Sequence, residues 1–133
     1  MSTIRVLVVD DHPVVRGGVV GWLAAQPGID VVGEASDGLE ALSAVAEHEP
    51  DVVLMDLRMP RMDGVAATER IAAAHPAVRV LVLTTYDTDA DIVRAVAAGA
   101  TGYLLKDVPL PQKRNLQDHG VHFRVTFYPL RAF

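Results

Sequence analysis

Six polar side chains stand at the ends of short apolar runs: Asp10 and Asp11, Asp56, Thr84 and Thr85, and Lys106. If the chain brings them together, three carboxylates crowd one place. Unit like charges about 4 Å apart repel by roughly 4 kcal/mol at an effective dielectric of about 20. A fold keeps such a cluster only with a counter-charge. The natural one is a hard divalent cation such as Mg2+, which takes one or two carboxylates, a carbonyl and waters. Asp56 follows the apolar residues 52–55 and should be partly desolvated. Lys106 is the single lysine of residues 1–107, against seven arginines. A compact ammonium on a flexible stem reaches a phosphoryl oxygen or Asp56 as a point charge, where a guanidinium fork is bulkier. Each residue alone has a plainer explanation. Asp10 and Asp11 could merely favour the helix N-terminus that follows, Asp56 could cap the next helix, and Lys106 could be a solvated strand end.

Those explanations weaken once the elements that carry the six residues are traced. β-branched or leucine-rich runs recur at 4–9, 31–34, 52–55, 78–83 and 102–105, and segments with helical spacing lie between them at 13–26, 39–48, 65–75 and 90–98. Start signals agree: Pro13 suits a first helical position, Asp37 with Glu40 resembles a capping box, and Thr88 with Asp91 resembles another. Pro27-Gly28, His75-Pro76 and Gly99 supply the stops. The alternation predicts an α/β fold. Strands apolar on consecutive residues, as in Val6-Leu7-Val8-Val9, are buried on both faces, which means a parallel sheet with helices on each side. Ligands of such sheets bind beyond the carboxyl ends of the strands. All six polar residues fall on that rim.

Composition narrows the function classes. Half of the 133 residues are apolar, enough to close one hydrophobic core. No cysteine is present, which removes disulfides, thiolate catalysis and cysteine-ligated metals. The N-terminus lacks a basic lead and a small-residue cleavage site, and no apolar run approaches the roughly 20 residues that span a bilayer. A cytoplasmic protein is expected. The net charge of -5 argues against a membrane surface or nucleic acid as partner of the whole chain. The charge is uneven: residues 1–107 carry -8 and residues 108–133 carry +3. All three phenylalanines also follow residue 107. Residues 1–107 are therefore read as one domain and 108–133 as an atypical C-terminal segment.

Asp10-Asp11, Leu54-Met55-Asp56-Leu57-Arg58-Met59-Pro60-Arg61-Met62-Asp63-Gly64, Leu83-Thr84-Thr85 and Gly99-Ala100-Thr101-Gly102-Tyr103-Leu104-Leu105-Lys106-Asp107 together resemble the receiver domain of two-component response regulators. The match spans about residues 3–107, and the spacings of 45 positions from Asp11 to Asp56, 28 from Asp56 to Thr84 and 50 from Asp56 to Lys106 keep the four motifs in register. Asp-His-Pro after the acid pair and the ending at Tyr103 to Asp107 are most similar to the subfamily with a LuxR-type helix-turn-helix output domain, which this chain lacks. The resemblance implies a doubly wound, five-stranded parallel sheet of the flavodoxin-like (CheY-like) type. It implies Asp56 as the acceptor of a phosphoryl group from a sensor histidine kinase. Mg2+ would be held by Asp11, Asp56 and the Arg58 backbone carbonyl, with Asp10 acting through a water. Thr84, Thr85 and Lys106 would bind the phosphoryl group, and Thr84 with Tyr103 would form the switch. The chain would then be a phosphoacceptor switch rather than an enzyme, and its parent a DNA-binding transcriptional regulator.

The family pattern breaks after Asp107, where an amphipathic fifth helix should follow. Val108-Pro109-Leu110-Pro111 resists helix, residues 112–119 could form two turns, and residues 121–128 alternate as a strand does. An unpartnered hydrophobic strand is a pairing edge, so the tail is expected to replace the fifth helix atypically, as a truncated or non-native terminus, with a homodimer one way to cover it. DNA binding by this chain is not expected. Two rival functions are weighed. A phosphatase of the haloacid-dehalogenase type also uses an aspartate nucleophile with Mg2+, but its nucleophile follows the first strand in an Asp-x-Asp pattern, and here the first strand ends Asp10-Asp11-His12. A receiver-like module acting by contact alone would not need the whole set of Asp10, Asp11, Asp56, Thr84 and Lys106.

Overall fold

The structure, a computed structural model, describes residues 3–84, 89–107 and 124–129. Four β-α repeats and a fifth strand run in the order predicted: β1 (Ile4–Val9), α1 (Pro13–Ala24), β2 (Ile29–Ala35), α2 (Gly38–His48), β3 (Val52–Asp56), α3 (Gly64–Ala74), β4 (Arg79–Thr84), α4 (Asp89–Ala98) and β5 (Gly102–Asp107). These five strands are mutually parallel, in the spatial order β2-β1-β3-β4-β5. The order reverses between β1 and β3, and in open α/β sheets that reversal opens a crevice at the carboxyl ends of the two strands.

Alternation along the strands builds a core on each face. Leu7, Val9, Val53 and Met55 pack with Ala41 and Val45 of α2 and Ala67 and Ile71 of α3. Val6, Val8, Leu54 and Leu83 pack with Val19 and Leu23 of α1. Both faces of β1 and β3 are thus covered, which is why their sequences read as unbroken apolar runs. A smaller cluster of Leu57, Val82, Ala95 and Ala100 seats α4, with half-buried Tyr103 against it. Gly99 ends α4 with a φ of 106°, and a Cβ there would lie 2.8 Å from Ala72 Cβ, so both the backbone and the space require glycine.

The helix starts follow the sequence signals. Pro13 opens α1, and Asp37 caps α2 by accepting the Glu40 amide at 2.9 Å while Glu40 accepts the Ser36 amide at 3.0 Å. Asp63 caps α3 through the Ala66 amide at 2.8 Å. Thr88, read as a cap, lies outside the described residues, as do the turns anticipated at 112–119.

The sheet differs from a plain five-stranded one at its last edge. A sixth strand, β6 (Arg124–Pro129), pairs antiparallel with β5, with Lys106 opposite Val125 and Asp107 opposite Arg124. The alternation that predicted a strand near 121–128 is confirmed for 124–129. The strand has a partner after all, because β5 would otherwise offer an open edge in the absence of a neighbour, and an antiparallel return satisfies its backbone groups.

Two tests follow from this packing. Leu7 is fully buried between β1 and the α2–α3 layer, so Leu7→Ala should lower the unfolding free energy by about 2–5 kcal/mol, read from urea denaturation. The Asp37 carboxyl is held below its usual range, first by the Glu40 amide it accepts and then, against the opposing effect of burial, by the Arg61 guanidinium. A depressed carboxyl adds stability above its unfolded value of 3.8 and loses it as pH falls through the lower folded value. Asp37→Asn, which keeps the cap, should therefore flatten the fall in stability below that pH in acid titrations followed by circular dichroism, and an unchanged acid limb would remove Asp37 from the balance.

Candidate functional site

Strand register does the positioning. Val9 pairs with Met55 across β1 and β3, so Asp10 and Asp56 emerge side by side as the two strands end. Asp56 lies opposite Leu83, which sets Thr84 one step further along β4, and Thr84 lies opposite Leu105, which sets Lys106 one step further along β5. The backbone positions expected to share a rim therefore do so. Thr85 lies outside the described residues, as do the side chains of Thr84 and Lys106.

Three acids and one unanticipated histidine converge at this rim. Ligand atoms of Asp10, Asp11, His12 and Asp56 all lie within 4.8 Å of one another. Asp10 is buried and tightly held: its amide donates to the Ala35 carbonyl at 3.0 Å, its Oδ1 accepts the His12 amide at 2.9 Å, and Arg16 Nη1 donates to its carbonyl at 2.7 Å. Arg16 is itself steadied by Glu34, Nε to Oε1 at 3.0 Å. Asp11 is treated differently. Its Oδ1 is shielded from solvent yet accepts no hydrogen bond, although His12 Nδ1 stands 3.0 Å away as an electrostatic neighbour. A buried carboxylate oxygen without a donor is costly unless a cation meets it. The donor set is three hard carboxylates with one imidazole at the margin, so the residues present fit Mg2+. Sequence reasoning had used His12 only as part of a motif, and its place directly after the acid pair was the available signal.

The loop after Asp56 closes back on β3. Gly64 donates its amide to the Leu57 carbonyl at 2.8 Å, and a Cβ on Gly64 would sit 2.0 Å from the Asp56 carbonyl oxygen. Asp63-Gly64 is thus more than loop punctuation, since only glycine lets α3 start against the Asp56 backbone. Arg58 lines a cleft beside the loop with Leu57, Met59, Asp63, Val65 and Arg94. Tyr103 packs, half-buried, against the Leu57 and Val82 cluster below the rim.

Comparison with known proteins gives a consistent answer. The family model described as the response regulator receiver domain matches residues 6–117. The chain is 42% identical over 123 residues to the transcriptional regulatory protein YhcZ of Bacillus subtilis (strain 168), covering 92% of this chain and 58% of that one. It is 47% identical over 104 residues to the response regulator protein VraR of Staphylococcus aureus, covering 78% and 50%. The chain therefore spans about half the length of the curated relatives it matches. Among solved structures, the receiver domain of the putative response regulator NarL from Mycobacterium tuberculosis superposes with a TM-score of 0.77 at 42% identity, covering 82% of this chain and 88% of that one. A LuxR-family two-component response regulator from Aurantimonas sp. SI85-9A1 gives 0.76 at 41%, covering 80% and 76%. With an acidic pocket at the reversal point of a five-stranded parallel sheet and this likeness over most of its length, the chain belongs to the response regulator receiver domain family.

Proposed function

We propose that this chain is a phosphorylation-dependent signalling switch in which Asp56 is the phosphoacceptor. The convergence of Asp10, Asp11 and Asp56 at the β1–β3 reversal carries the reading. An Asp56 carboxylate oxygen attacks the phosphorus of a phosphohistidine on a sensor histidine kinase. The new O–P bond forms as the P–N bond breaks, and the imidazole leaves with a proton. Asp11, Asp56 and the Arg58 carbonyl would hold Mg2+, with Asp10 reaching it through a water. Bound there, the ion neutralises charge on the transferring phosphoryl group. Thr84, Thr85 and Lys106 are assigned to the phosphoryl oxygens, and Thr84 with Tyr103 to the change of state that follows. The chain then acts as an acceptor rather than as an enzyme with turnover on a separate substrate, and its place is the cytoplasm.

The longer protein from which this receiver derives is proposed to be a DNA-binding transcriptional regulator, in keeping with the names of its relatives. The receiver proper is assigned to residues 1–107 and the atypical segment to 108–133. A second copy is the proposed partner for the output side, since Val93 and Val96 of α4 leave apolar surface exposed, at 64% and 47%.

Incubation with Mg2+ and acetyl phosphate should add the mass of one phosphoryl group, and Asp56→Asn should abolish the gain because an amide does not attack phosphorus. Phosphorylation persisting in that variant would move the acceptor elsewhere. Asp11→Ala should remove most Mg2+ binding in the unphosphorylated protein, whereas an unchanged titration would place the ion at other ligands. In a separate measurement, this chain should show no salt-sensitive submicromolar binding to duplex DNA. Residues 1–107 carry -8, and four tail bases cannot supply the about six to ten phosphate contacts of a typical reader.

A further inference from the structure

Residues 57–63 form the loop that carries the Arg58 carbonyl, so whatever holds this loop bears on the site. Backbone contacts hold it at two points. Gly64 bonds back to Leu57, and Gly38 donates its amide to the Met62 carbonyl at 2.9 Å, so close that a Cβ on Gly38 would lie 2.5 Å from that oxygen. A third contact depends on side chains alone. Arg61 Nε donates to Asp37 Oδ2 at 2.8 Å and its Nη2 donates to the same oxygen. That Nη2 also lies 3.8 Å from Glu40 Oε2. The anchor is rigid, because the Asp37 side chain is 5% exposed and its other oxygen caps α2. The residue it grips is strained. Arg61 has a φ of 66°, a left-handed conformation that a long side chain enters at a cost and keeps only when its surroundings hold it.

We infer that the Asp37–Arg61 ion pair is a positioning device for the phosphoacceptor site, locking the 57–63 loop to the N-terminus of α2 and so fixing the backbone that faces the cation. This rests on the Mg2+ reading given above. Neither residue touches the transferred group. Both act through the loop, and the pair ties the site to the β2–α2 corner, toward the β2 edge of the sheet rather than the β5 edge. Two guanidinium donors on one shielded oxygen keep their direction better than an exposed single contact does. Removing the charge while relieving the strain separates the two possible contributions of Arg61. Arg61→Asn accepts the left-handed backbone but cannot reach Asp37, whereas Arg61→Lys keeps the charge and the strain.

The test is a Mg2+ titration followed by amide NMR shifts in the intact chain, together with hydrogen exchange of the Gly38 and Gly64 amides. Arg61→Asn and Asp37→Asn should each weaken Mg2+ binding about three- to tenfold and speed Gly38 exchange by about tenfold, with the double variant no worse than the singles because the two groups act as one unit. Arg61→Lys should recover part of both. Mg2+ affinity within about twofold of the unsubstituted protein in both single variants would overturn the inference. So would equal acceleration of the core amides of β1 and β3, which would assign the pair to global stability. If the unsubstituted protein showed no Mg2+ response at all, the reading of the site would fail, and unchanged Gly38 exchange in Arg61→Asn would separately sink the clamp.

Discussion

Crowding of carboxylates at the ends of two neighbouring parallel strands is the constraint that the rest of this structure serves. Asp10 and Asp56 are neighbours because Val9 pairs with Met55, and no side-chain rearrangement separates strand ends that the ladder has joined. The chain offsets the repulsion unequally. Asp10 is enclosed and given donors, with Arg16 drawn across to its carbonyl and the His12 amide to its side chain. Asp11 is left with a shielded oxygen that accepts nothing. Such an arrangement costs stability unless a cation meets it.

The apolar runs made the sheet legible, since a strand buried on both faces needs an unbroken series such as Val6 to Val9, and the first polar residue after each series marks the rim. The placement of Asp10, Asp11 and Asp56 on that rim was readable for this reason, and family membership from the resemblance carried by four motifs in register. The limits of β2 were not, because Asp30 breaks the apolar run and cuts off Ile29, while both still pair with Arg5 and Ile4. The link between Arg61 and Asp37 was invisible too. It joins positions 24 apart, and a left-handed arginine leaves no mark in the residue order. His12 entered the sequence reading only within the Asp-His-Pro motif, and only the fold shows its ring beside two carboxylates.

The last edge of the sheet illustrates what alternation can and cannot specify. Period-two patterning near residues 121–128 indicates a strand but names no partner. β5 supplies one because its outer edge has backbone groups to satisfy, and the chain can return beside it only in the antiparallel sense without a crossover. Pro129 closes the pairing opposite Gly102, in keeping with a residue that lacks a donor and is tolerated at strand ends. β5, which carries Lys106, consequently becomes an interior strand rather than an edge. Its backbone is fixed on both sides, by β4 and by β6.

That fixation bears on how a change at Asp56 travels. Leu57 follows Asp56 directly, and Val82 stands two residues before Thr84; both pack with Ala95 and Ala100 in the cluster that seats α4. Among the described side chains this cluster is small and half of it is alanine, whereas the layer under α2 and α3 is anchored by Leu7, Met55, Ile71 and several valines. Small side chains make fewer dispersion contacts and leave a helix less tightly held. A displacement of the rim beside Asp56 therefore meets firm resistance toward α2 and α3, where the loop is also pinned by Asp37, and weaker resistance toward α4. β5 is held between two strands, and half-buried Tyr103 packs against this cluster. Packing is thus unequal on the two sides of one loop.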